Sequence, residues 1–201
     1  MRFQYALISS LTILSVFCAQ NQIYRPISDR HRICLATFGK RLDNEFLKGY
    51  WYKIYHFPES PNPPPSNKTI EIEFRRPTEE ELSVYKNYFN LTGMPYSFDE
   101  DMVLYRETYS RLFTGLLFGN REAKIFLQQP GTFYTSPEVY DIKVFRYINE
   151  NYILFERCFT WGVNKWLMSK SRVPSEEEVQ QVINNHSELK ALKRKKKCEC
   201  K

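Results

Sequence analysis

The segment Thr69–Arg76 constrains this chain more than any other. Ile70, Ile72 and Phe74 alternate with Glu71, Glu73 and Arg75. Successive strand side chains point to opposite faces, so this period of two reads as a strand with one buried face. Such a strand needs neighbours and a core behind it. The chain supplies further candidates at Tyr50–Phe57, Met102–Phe118, Ala123–Gln128, Val139–Tyr147, Tyr152–Phe159 and Lys165–Ser171. Met102–Phe118 is one long strand or two joined near Ser110. Turn signals separate them: the breaker-rich run Pro58–Ser66, then Gly93 and Pro95, Gly119-Asn120, Pro130-Gly131, Ile148–Asn151, and Gly162 with Asn164. Glu79-Glu80-Glu81 opens a further segment, Leu82–Leu91.

The period changes after Pro174. Ser175 and Glu178 form a capping box, acids fill the first turn, and Val179, Val182 and Ile183 follow at helical spacing. One amphipathic helix is expected over roughly 175–190. Ahead of the first strand, residues 21–33 read as polar and irregular, and Asp43 or Asn44 caps a helical turn leading into Gly49. Eight strands joined mostly by short turns imply antiparallel neighbours. The expected class is therefore all-β: an eight-stranded antiparallel up-and-down β-barrel with one C-terminal α-helix. A sandwich uses the same number of strands.

The chain has 201 residues. Met1-Arg2 followed by the nearly uncharged run Tyr5–Phe17 and the small residues Cys18 and Ala19 has the layout of a secretory signal peptide. Residues 1–19 are assigned to it, with cleavage after Cys18, Ala19 or Gln20. The run is shorter than the ~20 apolar residues of a membrane helix, and no later segment is long enough to span a bilayer. Residues 20–192 then form one domain, and 193–201 a basic, Cys-containing tail. Four cysteines remain after the signal: Cys34, Cys158, Cys198 and Cys200. In a secreted chain these imply disulfides, with three connectivities open. Sequons at Asn67, Asn90 and Asn185 agree with secretion.

The formal charge of +6 is crowded at the C-terminus, in Lys190, Lys193, Arg194, Lys195, Lys196, Lys197 and Lys201. A nucleic-acid partner does not fit an extracellular chain. The tail reads first as a solvated, mobile end and second as a contact for an anionic surface.

Three features stand in an order that resembles the lipocalin family. Gly49-Tyr50-Trp51 opens the first strand after a helical turn. Asn151-Tyr152 leads an apolar strand that ends at Cys158. Lys170 or Arg172 closes the last strand before Pro174 and an acidic helix start. The flavour is that of the apolipoprotein D and insect bilin-binding branch, because Cys34 precedes Gly49-x-Trp51 and Cys158 ends the later strand. The family's T-D-Y turn is replaced here by Tyr147-Ile148-Asn149. The resemblance implies a Cys34–Cys158 disulfide, and it implies a base, Lys170 or Arg172, packed over Trp51. Gly49, Trp51, Tyr152, Lys170 and Arg172 are the motif residues.

No catalytic motif stands out, so the chain is not read as an enzyme. His31, His56 and His186 lack metal-ligand spacing, and no metal or cofactor is expected. The resemblance implies an extracellular carrier that buries a small apolar molecule, of the retinoid, fatty acid, sterol or pigment class, in its barrel. With 14 Tyr and 15 Phe, more rings are present than a plain core requires, which suits a ring-lined cavity. Alternation selects Ile72, Phe74, Tyr105, Ile125, Phe145 and Leu154 as lining residues. The alternative is an effector on the same scaffold, its barrel self-filled, binding proteins or anionic surfaces through loops and tail.

Overall fold

The computed structural model of the protein describes residues 28–57, 70–88, 97–98, 101–108, 112–129, 140–159, 162–192 and 196–198. The signal segment, Asn67, Asn90 and Cys200 lie outside the described residues. Among those described, no helix is long and apolar enough to cross a membrane.

Eight strands close on themselves. They are β1 (Gly49–Phe57), β2 (Ile70–Arg75), β3 (Met102–Thr108), β4 (Leu112–Phe118), β5 (Ala123–Gln128), β6 (Tyr140–Asn149), β7 (Tyr152–Phe159) and β8 (Gly162–Ser169). Each pairs antiparallel with the next, and β1 pairs with both β2 and β8, completing an up-and-down barrel. Met102–Phe118 is thus two strands, paired from Met102↔Phe118 to Thr108↔Leu112. At one end, Gly119 follows β4 with φ +100°, a conformation that favours glycine, and lets the chain turn towards β5.

Helices cover the outside. The segment expected to be irregular contains α1 (Asp29–Thr37), capped by Ser28, whose hydroxyl accepts from the His31 N–H. Its residues have no amphipathic period. The helix is held instead by that cap, by Leu35 and Phe38 packed on the outer face, and by the disulfide Cys34–Cys158. The pairing implied by the resemblance is therefore formed. It spans 124 residues of sequence, a loop for which chain entropy alone gives roughly 4–5 kcal/mol. Next come α2 (Asn44–Leu47), capped by Asp43, and α3 (Glu79–Tyr88), which occupies the segment opened by the three glutamates.

The expected C-terminal helix is two, α4 (Glu176–Asn185) and α5 (Ser187–Ala191), divided at His186. Ser175 caps α4 by accepting from the Glu178 N–H at 3.1 Å. The tail departs from a wholly mobile end: β9 (Lys196–Lys197) pairs with Tyr55 and His56, and the Cys198 N–H donates to Ile54 O at 2.8 Å. It continues the edge of β1 beyond Lys53, where the β2 pairing stops.

Three apolar clusters result. One fills the barrel around Trp51, Ile72, Phe74, Tyr105, Phe126, Phe145 and Phe155. A second lies between the outer wall and α1 and α3. The third lies between β1, β7, β8 and the C-terminal helices.

Candidate binding site

The floor of the barrel is built on Trp51. Its indole N–H donates to Leu47 O of α2 at 2.8 Å, so the helical turn before β1 fixes the ring. Lys170 lies over it, Nζ 5.2 Å from the Trp51 centroid and 5.0 Å from that of Phe46. The base is thus Lys170; Arg172 is exposed two residues on. Lys124 closes the same end from inside, its ammonium donating to Leu42 O and Gly119 O at 3.1 and 2.9 Å. Burial pushes this amine down to about 8. Tyr152, the other motif ring, packs outside the barrel beside Val179 and Ile183 of α4. There burial raises its hydroxyl to about 12, with Glu178 adding to the shift.

Above the floor, one wall is a stack of rings. Phe145 lies on Phe155 at 5.1 Å, Phe155 on Trp166 at 5.3 Å and Trp166 on His56 at 5.1 Å, with interplanar angles of 18°, 25° and 21°. His56 reaches the interior because the β1–β8 register shifts between Lys53 and Tyr55, so one extra residue inverts the alternation. Opposite, Phe74 meets Tyr105 and Phe145 edge-on, each at 5.5 Å, and Tyr105 meets Phe126 at 5.4 Å. Phe126 lies so close to β4 that a Cβ on Gly115 would stand 2.2 Å from its ring.

Of the six lining residues expected, Ile72, Phe74, Tyr105 and Phe145 share the interior cluster. Ile125 belongs to the cluster under α1 and α3, and Leu154 to the one under α4 and α5. Both are one position off: Phe126 and Phe155 take the interior places on β5 and β7. Helices cover the outer wall there, and the inner faces carry Lys124 on β5 and Arg157 on β7, so large apolar residues stand on both faces and alternation carries no sign.

The interior also holds charge. Lys53 is 3 % exposed and its Nζ is 3.0 Å from Glu107 Oε1. Tyr105 donates to the other oxygen of Glu107. Lys143, 1 % exposed, stands 3.9 Å from Asp141, which Arg157 also grips. Both ammonium groups lie among rings: Lys53 is 4.6 Å from Trp166 and 4.9 Å from Phe155, Lys143 4.1 Å from Phe126. Burial lowers the Lys53 amine against the pull of Glu107. It raises the Tyr105 hydroxyl well above its usual range, and Glu107 adds to this. Burial alone would raise Glu107, but Lys53, Tyr105 and Lys143 hold it below its ordinary value.

Sequence reasoning passed over these charges, yet a signal exists. Each lies two residues from an inward-facing ring: Lys53 from Trp51, Glu107 from Tyr105, Lys143 from Phe145, Arg157 from Phe155. Among the described residues, no cluster of three or more His, Cys, Asp or Glu side chains is arranged to hold a metal.

No protein-family model matches the chain, and no curated protein matches it. Solved structures similar to it include two apocrustacyanins. Apocrustacyanin C2 is 12% identical over 89% of each chain, with a TM-score of 0.47. Lobster apocrustacyanin A1 is 13% identical over 89% of each chain, with a TM-score of 0.45. At these values neither likeness carries an argument. The class rests on the molecule itself: a closed eight-stranded up-and-down barrel of lipocalin-like architecture, floored by a Trp under a Lys.

Proposed function

We propose that this protein is a secreted carrier that takes a small, largely apolar ligand into its barrel. The observation that carries the reading is the juxtaposition of a four-ring wall with buried charge inside one barrel. Taking an ion out of water costs several kcal/mol, and a barrel that needs only a core is served as well by aliphatic side chains. Charged groups kept beside stacked rings match the usual composition of a ligand site: mostly apolar walls with a few placed polar groups. The wall offers Phe145, Phe155 and Trp166 to a flat ligand, and Ile72, Phe74 and Tyr105 face it across the interior. Ile125 and Leu154 belong to the supporting outer layers. The Cys34–Cys158 bridge supports both an oxidising, extracellular setting and a place near the apolipoprotein D and bilin-binding branch. Asn185, exposed at the end of α4, is available to a glycan.

Titration with a retinoid, a fatty acid, a sterol, biliverdin and a fluorescent apolar probe, followed by quenching of Trp emission, tests the reading. Saturable quenching by at least one class is expected. Failure of all five ends the carrier reading.

One observation favours a second reading. Ile72, Tyr105 and Phe145 are 0 % exposed, so the interior side chains already bury one another. A self-filled barrel would leave binding to the loops and the basic tail. Replacing Lys193, Lys195 and Arg194 with Gln separates the two. Retention on an anionic matrix at physiological salt would collapse under the second reading, while apolar-ligand affinity would persist under the first.

A further inference from the structure

We propose that Lys143 is an attachment point: its amine condenses with the aldehyde of a long, planar apolar ligand lying along the ring wall and holds it as an imine. The inference rests on the carrier reading and adds the reactive group of the ligand.

The geometry of the two interior lysines separates their roles. Lys53 Nζ is 3.0 Å from Glu107, a close ion pair. Lys143 Nζ is 3.9 Å from Asp141, whose carboxylate is shared with Arg157. Among the described residues, three rings stand around Lys143, with centroids at 4.1 Å (Phe126), 5.1 Å (Tyr105) and 5.8 Å (Phe155). Phe155 is common to this cage and to the stack that runs through Trp166 to His56. A flat ligand laid on the stack therefore ends at the amine.

Burial favours the neutral amine over the ammonium, and a desolvated lysine is the form that attacks carbonyls. Here burial, with Arg157 and Lys53 adding to it and Asp141 and Glu107 opposing, brings the amine down to about 7. A large share is then unprotonated at neutral pH.

In the reaction the Nζ lone pair attacks the carbonyl carbon, and one N–H proton passes to the carbonyl oxygen. The carbinolamine so formed loses its hydroxyl together with the second N–H proton. Water leaves and a C=N bond remains. Nothing is oxidised or reduced. A protonated imine at this point would face Asp141 and Glu107 as counter-charges, with Arg157 and Lys53 as the neighbouring cations and Tyr105 held on Glu107.

All-trans-retinal is a suitable probe, and retinol, flat and apolar but without the carbonyl, is its control. The folded protein is incubated with each, treated with borohydride, digested and mapped by mass spectrometry. The expected result is saturable binding of both probes to the unsubstituted protein, a reduced adduct on Lys143 with retinal alone, and loss of that adduct in Lys143→Arg. Mapping the unsubstituted protein keeps the test decisive if the variant does not fold. Retinol binding with retinal found only on surface lysines, or on none, overturns the attachment and leaves the carrier reading standing. Failure of both probes to bind overturns the attachment, and the carrier reading falls with it only when the fatty acid, the sterol, biliverdin and the fluorescent probe fail as well.

Discussion

Among the described residues, buried acids and bases meet in two groups, one outside the barrel and one inside, and the two are built differently. Outside the barrel, Glu156 on β7 is 2 % exposed and lies 3.2 Å from Arg146 and 3.3 Å from Lys165. Both bases also hold Glu188 of α5. Two acids and two bases alternate, and the square fastens a five-residue helix onto β6, β7 and β8. Inside the barrel, Lys53 pairs with Glu107, Lys143 and Arg157 share Asp141, and rings stand around the two lysines. A fastening needs balanced, mutually satisfied charge. A site proposed to receive a ligand has reason to keep a lysine in an aromatic cage instead.

The largest effect expected from breaking this contrast is Lys53→Met. It strands Glu107 among rings and should cost roughly 3–5 kcal/mol in urea unfolding. Adding Glu107→Leu should recover most of that loss, because a buried pair replaced by apolar groups is often neutral. If the double variant is as unstable as the single, the inner pair is structural after all. On the outer square, Glu156→Gln should cost less, about 1–3 kcal/mol, since Arg146 and Lys165 retain Glu188. Its ligand affinity should not change.

A third expectation concerns pH. Burial brings the Lys143 amine down to about 7 in the folded protein, against its ordinary 10.5 in the unfolded chain. Between these values the unfolded chain binds more protons, so stability rises with pH. Lys124, lowered to about 8, adds to the same rise. The unfolding free energy should therefore climb from about pH 7 to 10, and Lys143→Met should flatten the lower part of the climb. A profile indistinguishable from that of the unsubstituted protein would contradict the burial assigned to Lys143. The smallest effect is Lys170→Ala at the exposed floor, about 0.5–1 kcal/mol, read as a small drop in Tm.

Much of the scaffold was legible in the residues. The period of two in β2, the turn at Gly119-Asn120, and the Ser175 cap each act locally, so local pattern finds them. Met102–Phe118 stayed ambiguous because its division falls in a stretch of strand-forming residues. The helix α1 was hidden because long-range packing and a disulfide to Cys158 hold it. The site was half legible. Ile72, Phe74 and Tyr105 follow from strands whose outward neighbours include charges, whereas Ile125 and Leu154 sit on helix-covered strands that carry apolar residues on both faces and a charge on the inner one. His56 was reachable only through the register shift after Lys53, which no residue pattern announces.

Native mass spectrometry of the folded protein tests the central claim most directly. A barrel that carries a flat apolar ligand along Phe145, Phe155 and Trp166 should fly with a small-molecule increment that is lost on denaturation, or should gain one on exposure to a retinoid, fatty acid, sterol or pigment. A mass explained by polypeptide and glycan alone, unchanged by every one of these ligands, would contradict it.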